Sequence, residues 1–423
     1  MGHGVILSAP NSGAGKTTLT LGILHALSRR GLNVRGAKSG PDYIDPRFHE
    51  AACGQVCPNL DAWAMAPDRL AALAAGDGVL IIEGAMGLFD GAPPDGKGAT
   101  ADLARILKLP VVLIVDAAKT AQSVAPLVAG FAGHDPQVTV AAVILNNVGS
   151  PRHEAMLRRA LQHVGLPVLG VVYRQDGLTH PSRHLGLVQA GEHPDMNAYL
   201  NRAADAIEAA IDLEALVALG APLPAPAPQP RLAPPAQRIA IAQDQAFAFA
   251  YPHLLADWRA SGAALQFFSP LANQPAPQAD LIFLPGGYPE LHAGQLSGAA
   301  TFRASMQAAA AAGTQIYGEC GGYMMLGDSL TDADGTCHQM LGLLALNTSF
   351  AKRKLHLGYR TVSATAGPFI GTFAAHEFHY ASTIEAKGTP LFAAKDAEGN
   401  DLGAFGLVNG ATCGSFAHLI EKQ

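Results

Sequence analysis

Residues 9–31 read APNSGAGKTTLTLGILHALSRRG and connect a short apolar run to a helical pattern. A glycine-rich turn between a strand and a helix directs backbone N–H groups and the positive end of the helix dipole at one place, which favours a phosphate group. The lysine would reach the terminal phosphates, and the hydroxyl of the next threonine would bind Mg²⁺. Pro10 takes the place of the first glycine in the usual pattern. The residues that we expect to contact a nucleotide here are Asn11, Ser12, Gly13, Ala14, Gly15, Lys16, Thr17 and Thr18.

Four carboxylates follow predicted strands and could complete a metal site with Thr17. Asp42 and Asp45 lie in GPDYIDPRFH, after the predicted strand NVRGAK. Glu83 ends the apolar run VLIIE, and Asp90 follows it after a glycine turn. Because open α/β sheets bind ligands at the carboxyl ends of their strands, these oxygens predict one or two Mg²⁺ ions. The alternative for Asp42 and Asp45 is that they only cap a Gly-Pro-Asp turn.

Two further polar residues end predicted strands at the same edge. Lys38 closes NVRGAK, and it either contacts phosphate or substrate or is an ordinary charge at a strand end. Asn146 closes VAAVILN, and its amide either reads an adenine ring or satisfies a loop backbone. The residue types alone leave both alternatives open.

Length and composition describe a folded chain of more than one domain. The 423 residues predict two or three domains, since single cores rarely exceed about 250 residues. A hydrophobic share of 49% and a charged share of 15% give no sign of disorder. The net charge of −6, without basic runs, argues against nucleic acid and anionic membranes as partners. No apolar run suggests a signal peptide or a membrane helix. The odd count of 5 cysteines favours a reduced, cytoplasmic compartment.

A proline- and alanine-rich segment, residues 221–237, predicts a semi-extended linker that forms neither a helix nor a β-ladder. It separates a domain at 1–220 from a second at 238–423. Both domains alternate short apolar runs with helical patterns, which predicts an α/β fold with parallel sheets. The strand candidates are GVILS, VLIIE, PVVLIVD, VAAVILN and LPVLGVV in the first domain, and RIAIAQ, ADLIFLPGG and TQIYGE in the second.

One cysteine of the second domain stands at a predicted strand-to-helix turn. Cys320 follows TQIYGE and precedes the helix-like GGYMMLGDSL. Such an elbow presents a nucleophile at the sheet edge, and the N–H groups of the helix are expected to lower the thiol pKa. The backbone N–H of Gly321, together with one from Gly287 in LPGGYPE, could form an oxyanion hole. The pattern therefore predicts a thiol nucleophile for acyl transfer.

The other four cysteines indicate no chemistry. Cys53 and Cys57 in CGQVC are only half of a metal site, because no second pair with matching spacing follows. We expect Cys337 and Cys413 to be packed thiols.

A thiol nucleophile of this kind needs a histidine base. The candidates are His376 and His379 in HEFHY and His418 in GSFAHLIEK. Residue type and spacing do not rank the three.

Seven motifs, spread in order along the chain, carry a resemblance: GPDYIDPRFH, EGAMGLFDG, RHLGLV, LPGGYPE, GECGGYM, LGYR and HEFHY. They resemble the cobyrinic/hydrogenobyrinic acid a,c-diamide synthase family of cobalamin biosynthesis. The first half is also similar to dethiobiotin synthetase. The resemblance implies a P-loop parallel-sheet domain followed by a class I glutamine amidotransferase domain. It also implies the cofactors ATP and Mg²⁺ and the substrates glutamine and a corrin acid, whose a and c acetate carboxylates become amides by way of acyl phosphates.

The resemblance also bears on single residues. It favours His418 as the base, because residues 415–418 match the S-x-x-H segment of the cobalamin-type amidotransferases. Many class I relatives carry His-x-Glu, but Ile420 stands where that acid would be and Glu421 is one place too far. The expectation is a Cys–His dyad or an unusual third partner. Weak candidates for holding the polyanionic corrin are Arg47, Arg183 and His184.

Other functions are compatible with parts of this pattern. A P-loop switch of the chromosome-partition type is disfavoured because Asn11 takes the place of its signature lysine and a thiol domain would be idle. Cobyric acid synthase and a nickel-tetrapyrrole a,c-diamide synthase are nearer alternatives, and the first is typically longer. The motifs do not separate cobyrinate from hydrogenobyrinate as the substrate. A homodimer is possible, but no periodicity identifies its interface.

Overall fold

The structure is a computed structural model that describes residues 2–174, 182–183, 186–187, 189–192, 195–225 and 231–423. The chain divides into two compact units, Met1–Gln229 and Pro230–Gln423. Among the described residues, no helix has both the length and the apolar character that crossing a membrane requires.

The first unit alternates strands and helices. Its strands are β1 His3–Ser8, β2 Val34–Ser39, β3 Asn59–Leu60, β4 Val79–Glu83, β5 Val111–Asp116, β6 Val140–Val148, β7 Val168–Tyr173, β8 Ser182–Arg183, β9 Gly186–Leu187 and β10 Ala221–Pro222. Its α-helices are α1 Lys16–Arg29, α2 Asp45–Cys53, α3 Pro67–Ala74, α4 Thr100–Leu107, α5 Val124–Gly133, α6 Pro151–Leu161, α7 Met196–Ala210 and α8 Leu213–Ala218, and a 3-10 turn covers Ala190–Glu192.

Seven of these strands form a parallel sheet in the order β3-β2-β4-β1-β5-β6-β7 within the described ranges. The central strands are apolar along their length, as parallel strands covered on both faces must be. Val5, Ile6 and Leu7 of β1 have no exposed surface, and neither do Val112 and Leu113 of β5. The carboxyl ends of β1, β2, β4 and β6 therefore meet at one edge, as predicted.

The expected linker is wrong in its first residues. Ala221 and Pro222 form β10, which pairs antiparallel with Gly4 and His3 at the start of β1. Proline is tolerated in an edge ladder where its missing N–H is not required. The next donor in the chain, the N–H of Leu223, reaches the carbonyl of Gly2 at 3.0 Å.

The second unit combines a parallel sheet with shorter antiparallel strands. Its strands are β11 Arg238–Ala242, β12 Ala264–Phe268, β13 Leu281–Leu284, β14 Gln315–Glu319, β15 Ser329–Thr331, β16 Cys337–Gln339, β17 Ala345–Ser349, β18 His356–Ala364, β19 Gly371–His379, β20 Ser382–Lys387, β21 Phe392–Asp396, β22 Asp401–Phe405, β23 Leu407–Asn409, β24 Thr412–Ser415 and β25 Ala417–Lys422. Its α-helices are α9 Pro252–Ala260, α10 Ala293–Gly298, α11 Ala300–Ala311 and α12 Gly321–Leu326, and a 3-10 turn covers Pro289–Leu291.

The main sheet of this unit has the order β12-β11-β13-β14-β24-β23, with β23 antiparallel to the rest. The predicted strands β11, β13 and β14 are confirmed. Two further sheets, β16-β15-β17-β20 and β22-β21-β18-β19-β25, are largely antiparallel and were not predicted. Their strands lack the continuous apolar runs that marked the parallel ones; β20, for example, is exposed over most of its length.

Candidate active sites

The glycine-rich loop of the first unit joins β1 to α1 and is hydrogen-bonded to Asn146 of β6. Gly13 and Gly15 have φ angles of +80° and +87°, a region that glycine enters without a steric penalty. The Nδ2 of Asn146 donates to the carbonyl of Ala14 at 2.9 Å. A Cβ added to Gly15 would lie 2.2 Å from that same Nδ2, so a side chain there would displace the amide. Of the two alternatives for Asn146, the structure therefore shows the one in which its amide satisfies a loop backbone carbonyl.

The loop lysine is folded back onto its own loop. Lys16 Nζ donates to the carbonyl of Met86 at 2.5 Å and to that of Asn11 at 3.2 Å. Burial lowers the pKa of Lys16 although Glu83 opposes the shift. Of the other loop residues, Asn11, Ser12 and Gly13 are exposed and Ala14 is buried. Thr18 is half-buried and lies beside Tyr199 of α7.

Four predicted residues converge beside the start of α1. The hydroxyl of Thr17 donates to Glu83 Oε1 at 2.7 Å and lies 3.4 Å from Asp45 Oδ2. The ammonium of Lys38 stands between the same two carboxylates, 2.6 Å from Asp45 Oδ2 and 2.7 Å from Glu83 Oε1. Lys38, Asp45 and Glu83 are all buried. Three of them meet because β2 and β4 are neighbours with Lys38 and Glu83 in register, and α2 begins at Asp45.

A histidine that sequence reasoning missed completes this cluster. His49 Nε2 lies 2.7 Å from Glu83 Oε2, and its Nδ1 lies 3.4 Å from the sulfur of Cys57. Burial alone would raise the pKa of Glu83, but Lys38 and His49 lower it well below its usual range. Burial would likewise lower the pKa of Lys38, but Asp45 and Glu83 raise it. Glu83 and Lys38 are therefore held in their charged forms. The only sequence signal for His49 was its place as the last residue of GPDYIDPRFH.

Asp42 and Asp90 lie at the margin of this cluster. Asp42 Oδ1 accepts the backbone N–H groups of Ile44 at 2.8 Å and of Asp45 at 3.0 Å, as a turn cap does. Removal from water and the Asp45 carboxylate raise the pKa of Asp42 to about 6. Asp90 Oδ2 accepts the N–H of Gly87 at 2.9 Å. The turn-capping alternative therefore describes Asp42 but not Asp45.

The donor set of the cluster suits a hard divalent cation. One hydroxyl and two carboxylates, from Thr17, Asp45 and Glu83, present oxygen atoms to one point, and Mg²⁺ prefers oxygen ligands. The Lys38 ammonium already shows that a positive charge is stable there. Of the weak anion-binding candidates, Arg47 is paired with Glu50 at 2.8 Å, Arg183 lies in β8 with only its backbone described, and His184 lies outside the described residues.

In the second unit, Cys320 occupies the turn between β14 and α12. Its φ of +47° is unusual for a side-chain-bearing residue and stores strain of about 1–3 kcal/mol. Its backbone N–H donates to the carbonyl of Ser415 at 2.8 Å, which holds the elbow against β24. The thiol is buried, and its sulfur lies 3.9 Å from the carbonyl of Phe378. The predicted elbow is present.

The predicted low thiol pKa is wrong for the free protein. Burial, reinforced by Glu290, raises the pKa of Cys320 well above its usual range, although the N–H of Gly321 lowers it. The desolvation of a buried thiolate thus exceeds the effect of the short helix α12. Proton removal from Cys320 requires a base close to the sulfur.

Glycines surround the elbow where backbone segments approach closely. A Cβ added to Gly321 would lie 3.0 Å from the nitrogen of Gly287, so the two peptide groups proposed as oxyanion donors are neighbours. A Cβ on Gly287 would lie 2.0 Å from the carbonyl oxygen of Ala246. A Cβ on Gly286 would lie 2.1 Å from Cε1 of His418, so this glycine packs directly on the imidazole.

The three candidate histidines lie on adjacent antiparallel strands. His376 of β19 is the register partner of His418 in β25. Burial lowers the pKa of His376 to about 4 and that of His418 to about 3, so both are neutral imidazoles near pH 7. His379 is bound to Glu377 Oε1 at 2.9 Å, and its ring stacks on His356 with centroids 4.7 Å apart. His418 is distinguished from the other two by its contact with Gly286, and it also has an acidic neighbour.

That neighbour is Glu319, the residue directly before the cysteine. Its Oε2 lies 3.8 Å from Nδ1 of His418. Ile420, which takes the place of the usual acid, is fully buried, and its carbonyl is hydrogen-bonded to Nε2 of His253 at 2.8 Å. Sequence reasoning overlooked Glu319, although it stands within the quoted motif GECGGYM.

The other cysteines take no part in this geometry. Cys413 is packed in β24, and burial raises its pKa to about 12. Cys337 is exposed on β16, so the prediction of a packed thiol is wrong at this position. Its strand is short and pairs only at the edge of a small sheet, which leaves the side chain in water.

Comparison with known proteins places both units. Residues 5–188 match the family described as the CobQ/CobB/MinD/ParA nucleotide binding domain. Residues 238–423 match the family described as the CobB/CobQ-like glutamine amidotransferase domain. Among solved structures, a glutamine amidotransferase from Thermotoga maritima aligns with 43% of this chain and 75% of its own, at 14% identity and a TM-score of 0.30, which is too low to support an argument.

Full-length relatives are much closer. A protein of Rhizobium meliloti (strain 1021) named hydrogenobyrinate a,c-diamide synthase is 54% identical over 426 residues, which cover 99% of each chain. A Brucella anthropi protein of the same name is 54% identical over 429 residues, covering 99% of this chain and 98% of its own. Identity of this extent spans both units and all the motifs that carried the resemblance. The chain therefore belongs to the hydrogenobyrinate a,c-diamide synthase family.

Proposed function

We propose that this protein uses ATP and glutamine to convert the a and c acetate carboxylates of hydrogenobyrinic acid into amides. The observation that supports this most is the 54% identity over 99% of the chain to relatives named for that synthesis. It favours this substrate over another tetrapyrrole or cobyric acid. The family description that matches the first unit also names MinD and ParA, but the second unit matches a glutamine amidotransferase domain. We propose a synthetase domain at 1–220 and an amidotransferase domain at 238–423. Of the predicted linker at 221–237, Ala221 and Pro222 belong to the sheet of the first domain.

The second unit would release ammonia from glutamine. His418 takes the proton of the Cys320 thiol, and the sulfur attacks the side-chain amide carbon. The N–H groups of Gly321 and Gly287 donate to the oxyanion. Ammonia leaves, and a water molecule then hydrolyses the thioester to glutamate and the free thiol. A neutral imidazole at His418 suits this role, because a base must be unprotonated before it acts.

The first unit would activate the corrin carboxylate. The loop N–H groups and Lys16, released from the Met86 carbonyl, bind the phosphates of ATP. The carboxylate oxygen attacks the terminal phosphorus, ADP leaves, and ammonia later displaces phosphate from the acyl phosphate. Thr17, Asp45 and Glu83 are the residues that would hold Mg²⁺, with His49 orienting Glu83. When bound, the ion would neutralise charge on the phosphate oxygens.

Location and assembly also belong to the proposal. All five cysteines are unpaired, which fits a cytoplasmic protein. Pairing into a homodimer stays a prediction, and light scattering of the purified protein would check it.

The test is to incubate the purified protein with ATP, Mg²⁺, glutamine and either hydrogenobyrinic or cobyrinic acid, and to count added amides by mass. We expect two amides on hydrogenobyrinic acid. Consumption of glutamine and ATP without an amide on either acid would contradict the proposal. Replacing glutamine by ammonium salts separates the two half-reactions.

A further inference from the structure

Glu319 lies next to both expected partners of the glutaminase site. It directly precedes Cys320 at the end of β14, and its Oε2 faces Nδ1 of His418 at 3.8 Å. Both side chains are almost completely removed from water, with 4% of Glu319 and 0% of His418 exposed. A buried carboxylate is costly unless it meets a cation or several donors. The groups that surround the Glu319 carboxylate therefore indicate its role.

The carboxylate is held by its other oxygen. Oε1 accepts the hydroxyl of Tyr317 at 3.2 Å and the backbone N–H of Leu419 at 3.1 Å. Leu419 follows His418 in β25, so this bond ties the acid to the strand that carries the histidine. With Oε1 occupied by two donors, Oε2 is left to face the imidazole.

The residue two places after the histidine cannot serve instead. The pairing of β25 with β19 skips residue 420, since Ala374 pairs with Glu421 and Ala375 with Leu419, so Ile420 lies in a bulge. Ile420 is fully buried there and has no group that accepts a proton. Glu319 brings a carboxylate to Nδ1 from a different strand, β14.

We propose that Glu319 is the positioning residue of the glutaminase site, orienting His418 through Nδ1–H and stabilising its imidazolium. This inference rests on the proposed glutaminase activity. When the S–H bond of Cys320 breaks, its proton moves to Nε2 of His418, and the electron pair stays on sulfur for the attack. The positive charge then lies between a thiolate and a carboxylate. The present 3.8 Å must shorten by about 0.8 Å for a hydrogen bond, as is common when a substrate-free site closes on its substrate.

The charge on the Glu319 carboxylate is expected to change with pH within the range of the assay. Burial raises the pKa of Glu319 to about 8, against the hydrogen bonds that lower it. The titratable groups near it are Tyr317 on its own strand, Cys320 directly after it, and His418 and Glu421 on β25. Because the ionised carboxylate is the form that stabilises the imidazolium, glutaminase kcat/KM should rise with pH through the titration of Glu319.

The test compares Glu319→Gln, Glu319→Asp and the control Asp257→Asn in the full chain. Asp257 is also buried and also accepts a backbone N–H, that of Leu232 at 3.1 Å. Three rates are measured for each: glutamine hydrolysis, glutamine-dependent amidation and ammonia-dependent amidation. The pH profile of glutamine hydrolysis is recorded for each variant.

We expect Glu319→Gln to lower kcat for glutamine hydrolysis on the order of 10²-fold with little change in KM, and to lose the rise with pH. Ammonia-dependent amidation should stay within about twofold of wild type in every variant, which shows that the first unit is intact. Glu319→Asp keeps the charge but draws it back from His418, so it should recover part of the rate and a shifted pH profile.

Two results would overturn the inference. One is a Glu319→Gln enzyme with the wild-type rate and pH profile. The other is an Asp257→Asn enzyme with the same selective loss, which would mean that any buried carboxylate in this unit has this effect. If Glu319→Gln is insoluble, Glu319→Asp decides alone, because wild-type kcat and pH profile in it would also refute the role. A wild-type protein that never hydrolyses glutamine would instead refute the proposed function.

Discussion

Gly286 offers the sharpest test of where the glutaminase base lies. A Cβ at this position would lie 2.1 Å from Cε1 and 2.9 Å from Nε2 of His418. Ordinary contact begins at 3.4 Å, so in Gly286→Ala the ring must move by about 1.3 Å. His418 has no exposed surface, so the ring cannot turn into solvent. A misplacement near 1 Å costs about 10²-fold in rate, which corresponds to about 2.7 kcal/mol in the barrier.

The assay is glutamine hydrolysis, with ammonia-dependent amidation as the reference for an intact first unit. The matched control is Gly298→Ala at the end of α10, where an added Cβ meets nothing within 4 Å. We expect the control to retain wild-type activity. Overpacking should also reduce the stability of Gly286→Ala by about 1–3 kcal/mol, which urea unfolding measures. Wild-type glutaminase activity in a folded Gly286→Ala enzyme would refute the assignment of His418 as the base.

Four further predictions concern the named residues. Cys320→Ser should abolish glutamine-dependent amidation and leave the ammonia-dependent reaction intact; loss of both would contradict two separate sites. Glu83→Gln or Asp45→Asn should remove ATP turnover while glutaminase activity persists, and full ligase activity in either would refute the metal site. His418→Ala should lower the glutamine-dependent rate by about 10²- to 10⁴-fold, whereas the same loss only in His376→Ala would identify the other histidine. Finally, burial lowers the pKa of His376 to about 4, below the unfolded value near 6.5, so its stabilising contribution is complete above pH 6.5 and is lost as the pH falls. Urea unfolding at pH 7 and 4.5 should show a loss that is smaller in His376→Asn by about 2–3 kcal/mol, and equal losses would contradict the buried neutral state.

The parallel strands could be predicted because their signal is contiguous. VLIIE and PVVLIVD are apolar at every position before their last residue, as strands covered on both faces must be, and they correspond to β4 and β5. The antiparallel strands β18, β20 and β22 escaped prediction because they are largely open to water and their patterns mix polar and apolar residues. The short strand at Ala221 and Pro222 also escaped prediction, because a two-residue ladder at a sheet edge depends on the neighbouring strand.

For the sites, the sequence by itself determined the local devices, namely a glycine loop that begins a helix at Lys16 and an elbow that turns at Cys320. These depend on the φ angles and N–H groups of consecutive residues, which composition and order specify directly. Only the tertiary structure decided which distant side chains meet: that Asp45 joins Glu83 while Asp42 caps a turn, that His49 supports Glu83, and that Glu319 faces His418. Such contacts depend on strand order and register, and a pair separated by about a hundred residues is brought together by the packing of the whole unit.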